Sequence, residues 1–93
     1  MKFLEIGLGS MGKRRVRCLQ ALGYKDVVGF DLRQDRRNET EQKYRIKTYG
    51  DIAQAIKECN PDAFIISVPP HVHHIYVKLA IENKKHFFVE VLF

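Results

Sequence analysis

Three glycines at fixed spacing near the N-terminus constrain the fold of this chain more than any other feature. Gly7, Gly9 and Gly12 directly follow a strand-like apolar run, Lys2–Ile6, and open a helix-like stretch without proline. In such a context the first glycine allows a tight turn, the second lets a pyrophosphate approach the backbone, and the third lets the helix pack against the strand. Free N–H groups at the helix N-terminus would then face the pyrophosphate. The spacing therefore predicts a βαβ unit that binds a dinucleotide.

An acidic residue follows the next strand-like run, Asp26–Phe30, close to the spacing expected in such units. This residue, Asp31, is predicted to accept hydrogen bonds from the hydroxyls of the adenosine ribose. A 2′-phosphate beside its carboxylate would meet like charge, so we expect NAD to bind better than NADP. Arg33, Arg36 and Arg37 leave NADP binding open, because a nearby arginine can accommodate that phosphate.

Strand-like and helix-like segments alternate along the whole chain. Strands are predicted at Lys2–Ile6, Asp26–Phe30, Ile46–Thr48, Ala63–Val68 and His86–Val89. Helices are predicted at Ser10–Leu22, Asp51–Cys59 and His71–Asn83, with Arg33–Tyr44 as a short exposed helix or an ordered loop.

This alternation implies an α/β fold, a three-layer, doubly wound parallel sheet of the Rossmann type in a single domain. Right-handed crossovers give the strand order 3-2-1-4-5, so strands one and four share the ligand crevice at their carboxyl ends. Phe64, Ile65 and Ile66 lie in the longest apolar run and are expected to be among the most buried residues.

The charge of the chain fits a dinucleotide better than a nucleic acid. The 93 residues carry a net charge of +5, concentrated at residues 13–17 and 33–37, beside the predicted cofactor site. No zinc-finger spacing or helix-turn-helix signature accompanies these basic residues, so no nucleic-acid partner is expected. No apolar run approaches the ~20 residues that span a bilayer, and no membrane partner is expected.

The remaining polar residues give no metal or disulfide pattern. Cys18 and Cys59 lack a C-x-x-C spacing and are expected to be reduced thiols of a cytoplasmic protein. His71, His73 and His74 do not have the i, i+4 spacing of helical metal ligands, so no metal site is predicted.

The second half of the chain resembles a known family. Residues 62–74 read D-A-F-I-I-S-V-P-P-H-V-H-H, similar to the fourth-strand region of the Gfo/Idh/MocA oxidoreductases. Residues 84–92 read K-K-H-F-F-V-E-V-L, where that family commonly has G-K-H-V-x-x-E-K-P. The resemblance covers essentially the whole chain, as the N-terminal cofactor domain of such an enzyme, acting on a sugar or a polyol.

The resemblance implies roles for individual residues. The backbone of Leu8, Ser10 and Met11 would lie along the pyrophosphate, Asp31 would bind the ribose, and Arg33 would cover the adenine. The turn would pack on the nicotinamide-side ribose through Val68, Pro69 and Pro70. His73 and Glu90 match the family's histidine after that turn and its acid near the end of the domain.

The chain departs from the family after Glu90. Val91 stands in place of a lysine that lies near the nicotinamide, and valine has no proton to exchange. We therefore predict no catalytic residue in this chain, which alone would bind cofactor without turnover. Residues 1–90 are interpreted as the cofactor domain and residues 91–93 as a tail, derived either from a branch of the family or from an expression vector.

Two other functions are compatible with the same residues. A free-standing nucleotide-sensing module and an S-adenosylmethionine-dependent methyltransferase would also use a glycine loop followed by an acid.

The fifth strand, His86–Val89, would leave an edge with two phenylalanines. An unpaired edge can template another chain, so we expect a homo-oligomer through this strand, with the C-terminal segment exchangeable between neighbours.

Overall fold

Five parallel strands form one sheet in the order β3-β2-β1-β4-β5, which confirms the predicted strand order. The computed structural model describes residues 1–90. The strands are β1 (Phe3–Ile6), β2 (Val27–Phe30), β3 (Thr48–Tyr49), β4 (Ala63–Ile66) and β5 (His86–Val89). The helices are α1 (Ser10–Ala21), α2 (Gln34–Tyr44), α3 (Ile52–Cys59) and α4 (His73–Glu82).

Local sequence signals set several of these boundaries. Helix α3 begins after Asp51, whose carboxylate accepts hydrogen bonds from the backbone N–H groups of Ala53 and Gln54. It ends at Asn60, which adopts the left-handed conformation that asparagine tolerates. The polar stretch after β2, left open as a helix or a loop, is the helix α2.

The core lies on both faces of the sheet. Leu4, Ile6, Phe64 and Ile66 point to one face, where α3 and α4 contribute Ala55 and Ala80. On the other face Phe3, Leu8, Val27 and Ala63 pack with Val16 of α1. Because both faces are covered, the central strands β1 and β4 are nearly continuous in apolar residues.

The structure corrects the sequence expectations at four points. Ile65 is only half-buried, because it lies on the face covered by α1, and α1 packs over β1 and β2. Strand β4 ends at Ile66 rather than at Val68. The last helix begins at His73, after a separate 3-10 turn at Pro70–Val72. Strand β3 lies at Thr48–Tyr49, while Ile46 is a buried loop residue.

Within residues 1–90 the longest helix, α1, has 12 residues, and none of the helices has the length and apolar character needed to cross a bilayer.

Candidate functional site

The glycine-rich loop leaves β1 and packs tightly on its surroundings. Gly7 has a φ of +99°, and a Cβ at this position would lie 2.8 Å from the backbone oxygen of Ser67. A Cβ on Gly12 would lie only 1.7 Å from the carbonyl oxygen of Gly7. No side chain fits at either position without displacing backbone. The first and third glycines therefore hold the turn and the start of α1 against β1 and β4.

Asp31, at the carboxyl end of β2, connects this loop to the segment that leads into α2. Its side chain is almost buried, with 8% exposed. The Oδ2 atom accepts a hydrogen bond from the backbone N–H of Leu8 at 2.8 Å, and Oδ1 accepts one from the N–H of Arg33 at 2.8 Å. Two oxygens with about four lone-pair sites can accept further donors, so the carboxylate can still bind a ligand hydroxyl.

A crevice of about 600 Å³ opens at the carboxyl ends of β1, β2 and β4, where the winding of the sheet reverses. The predicted cofactor-binding residues that line it are Gly7, Gly9, Ser10, Met11, Asp31, Val68, Pro69 and Pro70. Leu8 and Gly12 are buried behind this surface. The structure thus brings most of the predicted site residues together around one opening.

His73 and Glu90 lie outside the lining of this crevice. The Nε2 atom of His73 is 2.7 Å from the backbone oxygen of Val68, so the ring braces the turn that follows β4. Glu90 forms a two-point ion pair with Arg15 of α1, and this carboxylate raises the pKa of Arg15. In this structure both side chains support neighbouring segments.

The three arginines after Asp31 have different surroundings. Arg33 forms a solvent-exposed two-point ion pair with Asp35 and does not line the crevice. Arg37 donates hydrogen bonds to the backbone oxygens of Asp31 and Leu32, at 2.8 and 3.1 Å. Arg36 lines the crevice, with its Nη1 atom 3.6 Å from Oδ2 of Asp31.

A buried carboxyl group, Glu5, lies in the middle of β1 and was not singled out from the sequence. Neither of its side-chain oxygens forms a hydrogen bond within residues 1–90, and the hydroxyl of Ser67 is likewise buried without one. Burial raises the pKa of Glu5 well above its ordinary value, and Glu90 raises it further, while Ser67 and Arg15 lower it. The alternation of β1 could have identified Glu5 as inward-facing, because Phe3 on the same face is buried.

Sequence reasoning also missed part of the crevice wall. Tyr76 of α4 lines it, with its ring 6.0 Å from that of Phe30. Burial raises the pKa of the Tyr76 hydroxyl, and the charge of Asp31 acts in the same direction. The position of α4 directly after β4 is the signal that could have placed Tyr76 at the crevice. The other missed lining residues are Phe30, Leu32, Arg36, Ser67, His71, Val72 and Ile75.

Both cysteines are free thiols, Cys59 buried and Cys18 half-buried. In the part of the chain that the structure describes, His, Cys, Asp and Glu side chains form no group of three that could hold a metal ion.

Comparison with known sequences and folds agrees with this geometry. Residues 1–91 match the sequence profile of GFO_IDH_MocA, described as an oxidoreductase family with an NAD-binding Rossmann fold. No match was found among curated proteins.

Several solved structures share the fold. A probable dehydrogenase from Thermotoga maritima is 28% identical, with a TM-score of 0.82 over 96% of this chain and 27% of its own. The scyllo-inositol dehydrogenase of Lactobacillus casei, solved with NAD(H) and scyllo-inositol, is 18% identical, with a TM-score of 0.79 over 96% and 27%. A prephenate dehydrogenase from A. aeolicus is 20% identical, with a TM-score of 0.84 over 96% and 33%. The chain thus spans about a third or less of these proteins.

Proposed function

Because the chain belongs to the Gfo/Idh/MocA oxidoreductase family, as its NAD-binding Rossmann domain, we propose that residues 1–90 bind NAD in the crevice in preference to NADP. The observation that carries this proposal is the Asp31 carboxylate, which lines the crevice beside the glycine-rich loop. Its position at the end of β2 is the one from which an acid binds the adenosine ribose hydroxyls.

The residues around the crevice fit a dinucleotide. Gly9 exposes backbone without a Cβ at the opening, and Ser10 and Met11 begin α1 with N–H groups free to face a pyrophosphate. Val68, Pro69 and Pro70 form an apolar wall at the end of β4, on the side where the nicotinamide half would lie. A crevice of about 600 Å³ falls within the usual range for cofactor sites.

A bound nicotinamide ring supplies hydride transfer at its C4 atom, and the residues of this domain bind and orient the cofactor. We propose no catalytic residue within this chain and no turnover by it alone. Val91, which stands where many family members have a lysine, lies outside the described residues. The tail, residues 91–93, is proposed to be separate from the domain.

A sugar or polyol is the proposed substrate class of the intact enzyme. The Lactobacillus casei relative, whose fold this chain shares, acts on scyllo-inositol. The prephenate dehydrogenase has an equally similar fold, so the substrate class rests on family membership rather than on the fold. We also propose a cytoplasmic location, since both cysteines of the chain are free.

Calorimetric titration of the 93-residue chain with NAD and with NADP tests the cofactor proposal. We expect tighter binding of NAD, because a 2′-phosphate beside Asp31 meets like charge. The variant Asp31→Ala should narrow the difference between the two cofactors. Tighter binding of NADP by the wild-type chain would contradict the preference.

We further propose that the chain forms a homo-oligomer through β5. Within residues 1–90 this strand pairs only with β4, and Phe87 and Phe88 are 38% and 62% exposed. An open edge with exposed aromatic side chains favours pairing with another chain. Light scattering at high micromolar concentration should show a dimer or a larger species, and a strict monomer would overturn this proposal.

A further inference from the structure

The side chain of Glu5 packs at the base of the glycine-rich loop. Glu5 stands two residues before Gly7, and its Cγ atom would lie 3.8 Å from a Cβ built on Gly12 at the start of α1. The carboxyl group is fully buried, and neither oxygen forms a hydrogen bond within residues 1–90. We infer that the domain binds the dinucleotide and a proton on Glu5 cooperatively, an inference that rests on the proposed function.

Glu5 has uncharged neighbours in the sheet, which are Gly29 of β2 and Ile65 of β4. Two charged groups act on its carboxyl group from the α1 face: Glu90 raises the pKa of Glu5, and Arg15 lowers it. These two side chains form a two-point ion pair with each other, so their effects on Glu5 partly cancel. An ionised Glu5 would therefore place a poorly compensated negative charge at the base of the loop.

The loop above Glu5 is where the pyrophosphate of a dinucleotide would bind. Free backbone N–H groups at the start of α1 attract that anion, whereas a negative charge behind them would repel it. Salt screens such a repulsion only weakly, because Glu5 is buried. Ser67 connects Glu5 to the other wall of the crevice, since it lowers the pKa of Glu5 and also lines the crevice. Binding should therefore be tightest when Glu5 carries a proton.

The direction of the coupling follows from linkage. Burial raises the pKa of Glu5 well above its ordinary value of 4.5. The affinity for NAD should be highest below the folded-state pKa of Glu5 and should fall as the pH rises through it. Because linkage is reciprocal, bound NAD raises the same pKa, and the domain takes up protons when it binds NAD in this pH range.

Calorimetric titration of the wild-type chain and Glu5→Gln with NAD, from about pH 5 to about pH 9, tests the inference. We expect the affinity of the wild type to fall about five- to tenfold relative to that of Glu5→Gln, which has no carboxyl group to ionise. Titration in two buffers of different ionisation enthalpy measures proton uptake, which should be larger in the wild type. The titratable groups that line the crevice, Asp31, His71 and Tyr76, are common to both proteins and cancel in this comparison.

Two further variants separate this coupling from a purely structural role of Glu5. Glu90→Gln removes the charge that raises the pKa of Glu5 and releases Arg15, which lowers it, so the fall in affinity should move to lower pH. Glu82→Gln removes an exposed carboxylate of α4 that does not line the crevice, and it should keep the wild-type profile. If Glu5 only supported packing, Glu5→Gln would change the affinity equally at every pH.

The outcomes separate the inference from the proposed function. Parallel pH profiles and equal proton uptake in the wild type and Glu5→Gln overturn the inference, while NAD binding by both keeps the proposed function. A wild-type chain that binds neither NAD nor NADP overturns both. Circular dichroism at each pH confirms folding. If Glu5→Gln does not fold, Glu90→Gln carries the comparison, and a profile identical to that of the wild type overturns the inference.

Discussion

Two buried carboxyl groups of the sheet have opposite surroundings. At the end of β2, Asp31 is almost buried and accepts hydrogen bonds from two backbone N–H groups. In the middle of β1, Glu5 is fully buried, and neither of its oxygens forms a hydrogen bond within residues 1–90. Hydrogen bonding allows a carboxylate to remain charged inside a protein, whereas burial alone favours its protonated form. The two acids thus differ in that backbone donors hold Asp31 in place, whereas Glu5 has no such partner within residues 1–90 and burial raises its pKa.

The largest expected effect comes from Gly12, which packs the start of α1 against the loop after β1. Gly12→Ala would place a Cβ 1.7 Å from the oxygen of Gly7, and either the loop or α1 must move. We expect the free energy of unfolding to fall by about 3 kcal/mol, as in a severely overpacked core. Urea denaturation followed by circular dichroism measures it.

The control for this variant is Gly23→Ala, whose Cβ would meet no atom within 4 Å. Gly23 has a φ of +93°, so its substitution should cost only the backbone strain of about 1–2 kcal/mol. Equal losses in the two variants would show that the close packing of Gly12 does not stabilise the fold beyond the backbone strain of a glycine replacement.

A substitution at Asp31 tests whether its hydrogen bonds stabilise the fold. In Asp31→Asn one backbone N–H, of Leu8 or of Arg33, must face an NH₂ group instead of an acceptor. We expect a loss of about 2 kcal/mol in the free energy of unfolding at neutral pH. Asp35→Asn removes an equivalent charge from an exposed ion pair and should leave the denaturation midpoint unchanged. A midpoint for Asp31→Asn that matches the control would contradict the stabilising role of these two hydrogen bonds.

The raised pKa of Glu5 predicts that the stability of the fold depends on pH. The folded-state pKa of Glu5 is raised above its ordinary value of 4.5. The contribution of Glu5 is thus complete below about pH 4.5 and is lost as the pH rises through the folded-state pKa. In that window the stability of the wild type should fall, relative to Glu5→Gln, by up to about 1.4 kcal/mol per pH unit.

Denaturation of both proteins across this pH range measures the difference between their free energies of unfolding. The contributions of the other titrating groups cancel in this difference, because both proteins contain them. Ser67→Ala is a useful companion, because it removes the neighbouring hydroxyl that lowers the pKa of Glu5 and should extend the fall in stability to higher pH. Parallel curves for wild type and Glu5→Gln would contradict the raised pKa of Glu5.

The smallest expected effect is at the ion pair between Arg15 and Glu90, which connects α1 to the residue after β5. Arg15 is partly exposed, so Arg15→Gln should lower the free energy of unfolding by less than about 1 kcal/mol. A double-mutant cycle with Glu90→Gln isolates the pair. A coupling as large as the loss in Asp31→Asn would mean that this partly exposed pair stabilises the fold as strongly as the hydrogen-bonded side chain of Asp31 does.

The sequence predicted the sheet and most of the crevice because both follow from periodicity and from the spacing of Gly7, Gly9 and Gly12. It failed where the outcome depends on how far a neighbouring element extends. Ile65 was expected to be deeply buried, but α1 covers β1 and β2 more fully than β4. The backbone bonds of Asp31 depend on the path of two loops, which residue types do not specify. For the same reason the sequence could not separate the roles of Arg33, Arg36 and Arg37.

The bonds from Asp31 to the backbone N–H groups of Leu8 and Arg33 also bear on how this domain could evolve. Asp31, which is proposed to set the cofactor preference, also stabilises the fold through these two hydrogen bonds. A lineage that exchanged this acid for a residue favouring NADP would weaken its own scaffold in the same step. Compensating substitutions would have to arise first. The contribution of Asp31 to the stability of the fold therefore limits how readily the cofactor preference of the domain can change in evolution.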